Sequence, residues 1–215
     1  MPISLDALSA TNTFANSASA KTAALALGSG GNRIVVAFIG IRDATPSTIT
    51  FNGVAMTLGI SVANGGTPNF RSYIYYLLNA SLPAAGTYDL SVTPSVACWG
   101  NIACLSLFGV RQVALEAAGS GSSTGTPTSW ANSITTLSNY AWIVEASFSN
   151  DRTFTPTSPQ IERFDFKDGS ATGIGVSSKE FVTAGATTME QTPDTGTAYA
   201  QVLAACAPAS GGFFF

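Results

Sequence analysis

The sequence predicts an all-β protein, an antiparallel jelly-roll-like β-sandwich of about ten strands. Three observations carry this expectation. Gly, Ser, Thr and Asn punctuate every segment, so few windows hold a 3.6-residue apolar period. Short β-branched and aromatic runs recur at roughly the 8–12 residue spacing of sandwiches and barrels. Some of these runs are continuously apolar, as central strands are, and others alternate with period two, as half-buried strands do.

The elements follow in chain order. "AKTAALALGSGG" is the best helix candidate, but it is short and ends in a glycine-rich turn, so it reads as a strand entering a hairpin connection. "NRIVVAFIGIRD" (Asn32 to Asp43) is a continuous apolar run and reads as a central strand. "STITFNGVAMTLG" holds Asn52-Gly53 between two alternating arms. Both turn positions of a type I′ hairpin need positive φ, which this dipeptide tolerates. "RSYIYYLLN" puts Tyr73 and Tyr75 on one face and Ile74 and Tyr76 on the other. "GTYDLSVTPS" alternates Tyr88, Leu90 and Val92 against Asp89, Ser91 and Thr93. In "VACWGNIACLSLFGV", Trp99-Gly100-Asn101 reads as a turn or a bulge.

"AAGSGSSTGTPTSW" reads as a long surface loop within one domain rather than an interdomain linker. "SITTLSNYAWIVEASFS" then resumes strand, turn and strand. "IERFDF", "TGIGVSSKEFV", "ATTMEQT" and "TAYAQVLAACAP" supply the remaining strands. Segments 33–41, 141–148 and 199–206 are expected at the buried centre. No internal repeat of about 20–50 residues stands out. The expected organisation is a single sandwich domain over 1–210, followed by an apolar docking tail over 211–215.

Composition narrows the function. Charged residues make up 10% of the chain, against roughly 25% in ordinary globular proteins. A surface so neutral suits burial against other chains. A net charge of -3 provides no basic field for nucleic acid. With no histidine, Ser-His-Asp and Cys-His sites and His-based zinc sites are excluded. Cys98, Cys104 and Cys206 are odd in number and lack CxxC spacing, and they read as small buried hydrophobes. No apolar run approaches the ~18 residues of a membrane helix. The first residues lack a basic segment followed by an apolar run, so the expected location is a virion assembled in a host cytoplasm.

The order "NRIVVAFIGI", "TITFNGVAMTL", "YIYYLLNASLPAAGTYDLSVT" and the closing "TAYAQVLAACAP" resembles a β-sandwich module of phage structural proteins (head- and tail-associated) and bacterial surface proteins. The resemblance spans about residues 22–208 and rests on scaffold strands. It implies a β-sandwich with a structural or adhesive role, and it carries over no active-site residues.

Candidate sites follow from this. Asp151, Glu162, Asp165 and Asp168 are the only plausible catalytic groups. Glu162 and Asp165, three apart on a strand, point to opposite faces and make no local pair. Arg163 and Asp165 share a face and are expected to form a surface ion pair, beside an Asp168-Gly169 turn. No DxDxDG calcium loop is present. Tyr73, Tyr75, Trp99 and Trp130 are candidates for a sugar-stacking face, with core burial as the plainer reading. Phe213, Phe214 and Phe215 follow Gly211-Gly212 and are candidate anchors for a partner, unless they fold back on their own core. The expected function is a non-enzymatic phage virion structural protein without cofactor or metal: a head decoration, a vertex or collar protein, or a tail-fibre component. It would bind other virion proteins and copies of itself, as a homotrimer. The alternative is a carbohydrate-binding or adhesion module.

Overall fold

The computed structural model describes residues 2–209, and Phe213–Phe215 lie outside that range. The class is all-β and antiparallel, as expected, with 62% strand and 1% helix. The strands are β1 (Ser4–Leu8), β2 (Asn12–Thr13), β3 (Lys21–Leu27), β4 (Ile34–Arg42), β5 (Pro46–Phe51), β6 (Val54–Ala55), β7 (Thr57–Ala63), β8 (Phe70–Leu78), β9 (Gly86–Pro94) and β10 (Trp99–Phe108). The second half holds β11 (Ala117–Ser123), β12 (Trp130–Thr136), β13 (Ala141–Ser149), β14 (Phe154–Pro156), β15 (Ile161–Lys167), β16 (Gly173–Phe181), β17 (Gly185–Pro193) and β18 (Tyr199–Cys206).

These strands make four sheets where a single sandwich would have two. Their orders are β1-β10-β4-β8-β7, β3-β9-β5-β6, β11-β18-β13-β16-β15 and β12-β17-β14. The first and third orders are the same path, as are the second and fourth apart from the small β6. Each half is therefore the same two-sheet sandwich, wound once over residues 2–110 and again over 117–206. Local details repeat as well. Asn32 and Tyr140 take φ of 54° and 58°, two residues ahead of the central strand β4 and one ahead of β13. "GTYDLSVTP" in β9 matches "GATTMEQTP" in β17, and Gly86 and Gly185 begin both with positive φ.

The two large sheets pack face to face. Their shared core includes Val36, Phe38 and Ile74 from one half and Val144, Phe148 and Val202 from the other. The contact is roughly two-fold: β7 and β8 lie over β18, while β15 and β16 lie over β10. Phe70 meets Phe148 edge-on at 5.8 Å, and Ser72 Oγ donates to the Ala146 carbonyl across the seam at 3.1 Å. Gly40 and Phe148 occupy equivalent positions of β4 and β13, and they touch, because the Phe148 ring rests where a Gly40 side chain would stand. The small sheets cover the outer faces, with Leu25, Phe51 and Leu90 buried on one side and Ile134 and Met189 on the other. The stack is small, large, large, small.

Several local expectations hold. The Asn52-Gly53 hairpin joins β5 to β6 with φ of 49° and 76°. Tyr73 and Tyr75 face one core, and Ile74 and Tyr76 the other. β4, β13 and β18 are central in their sheets. Others differ. Trp99-Gly100-Asn101 opens β10, because Gly100 lets the Gly40 carbonyl approach its backbone. "AKTAALAL" is a strand but not a hairpin arm, since β3 pairs with the distant β9. "AAGSGSS" is the edge strand β11, paired along β18, and not a loop. Its glycines serve packing: a side chain at Gly119 or Gly121 would collide with Ser133 or Asn132 of β12.

Candidate functional site

The described chain leaves the fold beside the interhalf linker. Val110 pairs with Pro208, the Arg111 amide donates to Ala207, and the Ala209 amide donates to Gly109. This end of the molecule gathers five exposed large apolar side chains: Leu58, Val113, Leu137, Tyr140 and Val182, each between 48% and 71% exposed. Hydrogen bonds tie the turns that carry Leu137, Tyr140 and Val182 to their neighbours. The Tyr140 amide donates to the Val182 carbonyl, and the Leu137 and Ser138 amides donate to Glu116 Oε1. A cleft of about 360 Å³ opens there between β7 and the linker, lined by Leu58, Tyr76 and Leu115. Exposed apolar side chains are ordinary singly, but contiguous patches mark interaction surfaces. Sequence reasoning missed this surface because its members come from four separate segments: strand β7 (Leu58), the interhalf linker (Val113), the β12–β13 turn (Leu137 and Tyr140) and the β16–β17 turn (Val182).

The candidate stacking rings are dispersed. Trp130 is fully buried, stacked on Tyr199 at 4.5 Å and beside Phe154 in a small core of its own. Tyr73 is buried and Tyr75 half-buried in the other half, where burial pushes both phenols above their ordinary pKa. Trp99 is half-buried at the start of β10. They form no common exposed face.

The acids are engaged by backbone amides: Asp151 Oδ1 accepts from the Gly169 amide at 2.9 Å, which sets it beside the Asp168 turn. A bulge between Glu162 and Phe164 breaks the alternation of β15. Arg163 accordingly donates to Ser178 Oγ at 2.7 Å and lies over the Trp142 ring, so the expected ion pair with Asp165 does not form. Asp165 Oδ1 accepts from the Phe154 amide at 3.1 Å. Burial of its carboxyl, against an exposed residue edge, pushes its pKa up to about 6. Asp168 does make the expected turn: its Oδ1 accepts from the amides of Ser170, Ala171 and Thr172. Burial works to raise its pKa, but these bonds outweigh it and hold the carboxyl below the usual range.

One further acid, Glu145, is deeply enclosed and was not among the sequence candidates. It is fully buried between the sheets of the second half. Its Oε1 accepts from Ser147 Oγ and Gln201 Nε2, both at 2.7 Å, and its Oε2 from Ser177 Oγ at 2.9 Å. Burial pushes its pKa up, against the pull of these donors. The pairing registers place Glu145, Ser147, Ser177 and Gln201 where the first half has Ala37, Ile39, Tyr75 and Ile102. The outer core of the second half thus carries a buried polar cluster beside Ile134, Ile143, Met189 and Leu203.

The three cysteines are free and buried, as the sequence implied. Burial raises Cys98 to about 11 and both Cys104 and Cys206 to about 12. Among the described residues no group of three or more His, Cys, Asp or Glu side chains is placed to hold a metal. No helix among them is long and apolar enough to cross a membrane. No protein family, curated protein or solved structure matches the chain.

Proposed function

We propose that this protein is a non-enzymatic structural component of a phage particle, held in place by multivalent protein–protein contacts. The observation that carries this reading is the exposed apolar end formed by Leu58, Val113, Leu137, Tyr140 and Val182. The Gly-Gly-Phe-Phe-Phe segment begins two residues beyond Ala209, which is bonded at that end. Six residues follow Ala209, and at about 3.3–3.6 Å each they reach roughly 20 Å, enough to extend to a neighbouring chain. Each buried Phe ring contributes about 1.5–3 kcal/mol before ordering costs, and copies repeated on a particle act together.

The low charge, the aspartates tied to backbone amides and the buried thiols favour scaffold over chemistry. The winding, which crosses between sheets at six of nine connections in the first half and six of seven in the second, reads as jelly-roll-like. A homotrimer among other virion proteins, assembled in the host cytoplasm, is the arrangement proposed. Deleting Gly211–Phe215 is expected to leave a chain that still unfolds cooperatively and to abolish incorporation into particles. Normal incorporation of the truncated chain refutes the docking role.

A further inference from the structure

We propose that the seam between the two halves holds a binding site for a carboxylated sugar, at the end opposite the apolar surface. A pocket of about 340 Å³ opens there, walled by the β7–β8 loop of the first half and by three loops of the second. That volume is at the lower end of the roughly 300–1,000 Å³ range of ligand pockets, so it suits one sugar residue rather than a chain.

The lining chemistry selects the ligand class. Among the described residues no acidic side chain lines the pocket, and Arg152 is the one charged group that does. Thr67, Thr124 and Thr126 line it with exposed hydroxyls, and these donate to and accept from sugar hydroxyls equally well. Asn150 supplies a carboxamide, already steadied by its 3.4 Å bond to Thr197 Oγ1. Pro68 and Ala198 give the wall apolar patches for the C–H face of a pyranose.

Arg152 supplies the selectivity. Its Nη1 donates to the Asp151 carbonyl at 3.1 Å. Its Nε is ion-paired with Asp194 Oδ1 at 3.7 Å, too long for a hydrogen bond, and the side chain is about one-third exposed. A ligand carboxylate that approaches the exposed part of this loosely paired guanidinium meets it with two parallel bonds. The duplication isolates this feature. At the equivalent corner of the first half, Arg152 and Thr197 are replaced by Ala44 and Cys98, both buried in its core. One copy closed this corner with apolar side chains, and the other keeps it open and polar.

The test is an NMR titration of the full chain with three probes: methyl β-D-glucuronide, methyl β-D-glucoside and inorganic phosphate. Glucuronide is expected to saturate and to shift the amides of Gly66, Gly125 and Gly196, binding about tenfold more tightly than glucoside. Arg152→Gln should reduce glucuronide to the affinity of glucoside. Thr124→Trp, at an exposed position whose side chain bonds nothing, should abolish both while leaving the fold intact, and it decides the matter if the Arg152 variant fails to fold. The proposal is overturned if neither sugar saturates or if glucuronide binds no better than glucoside. It is equally overturned if phosphate binds as tightly as glucuronide, or if Thr124→Trp changes nothing. None of these readouts depends on the assembly reading.

Discussion

Replacing Glu145 probes the buried polar cluster of the second half most sharply. Glu145→Ala strands three buried donors: the hydroxyls of Ser147 and Ser177 and the amide of Gln201. A buried polar group left unsatisfied costs about 1–3 kcal/mol. The hydroxyls can turn to nearby carbonyls, so the lower end applies, and three donors come to about 3 kcal/mol. In a domain of this size that lowers the melting temperature by about 6–12 °C.

Glu145→Gln tests the charge separately. Burial raises the folded pKa of Glu145 above its ordinary value of 4.5. Its contribution to stability is therefore complete below that value and is lost as pH rises through the folded pKa. The Gln variant lacks this loss, so its stability relative to the wild type should increase as pH rises from 4 to 8. Urea unfolding of the wild type and both variants across that range is the assay. An Ala variant within about 0.5 kcal/mol of the wild type, typical of surface substitutions, would refute the account of the polar cluster. A pH-independent difference between Gln variant and wild type would refute a raised pKa.

Other outcomes follow from the packing and the turns. Gly40→Ala pushes a methyl group into the Phe148 ring and should cost about 1–3 kcal/mol in chemical denaturation. Combining it with Phe148→Ala should cost less than the two losses added, and strict additivity would mean the two sites do not touch. Asp168→Ala should destabilise the protein at neutral pH. That difference should shrink on acidification through the depressed folded pKa of Asp168, because a lowered carboxyl contributes only above it; urea midpoints at pH 3 and pH 7 read this directly. The thiols, raised to about 11 at Cys98 and about 12 at Cys104 and Cys206, should resist a thiol reagent at pH 8 in the folded chain and all react after denaturation.

The individual strands were legible because their signals are local. The apolar run at Ile34–Arg42 and the Asn52-Gly53 turn declare themselves within a few residues. The doubling was not legible, because sheet order is set by pairings of distant strands. What survives of it in sequence is faint: "GTYDLSVTP" against "GATTMEQTP", with Thr93-Pro94 recurring as Thr192-Pro193. The period, close to half the chain, exceeds the window in which repeats are usually sought. β11 was obscured by its composition, since Gly119 and Gly121 signal a loop by propensity but are required by the closeness of β12. Glu145 was hidden by parity. It lies in an apolar run of a strand buried on both faces, where a single carboxylate gives no hint of the hydroxyls and amide that neighbouring strands bring to it.

In the proposed assembly, the apolar end and the Phe-bearing segment hold copies of this chain together. Size-exclusion chromatography with light scattering, run on the full chain and on a chain lacking Gly211–Phe215, tests it most directly. The account predicts a mass three times that of the 22.0 kDa chain for the full protein, and a folded monomer for the truncated one. A full chain that stays monomeric at every concentration, or a truncated chain of unchanged oligomeric mass, would contradict it.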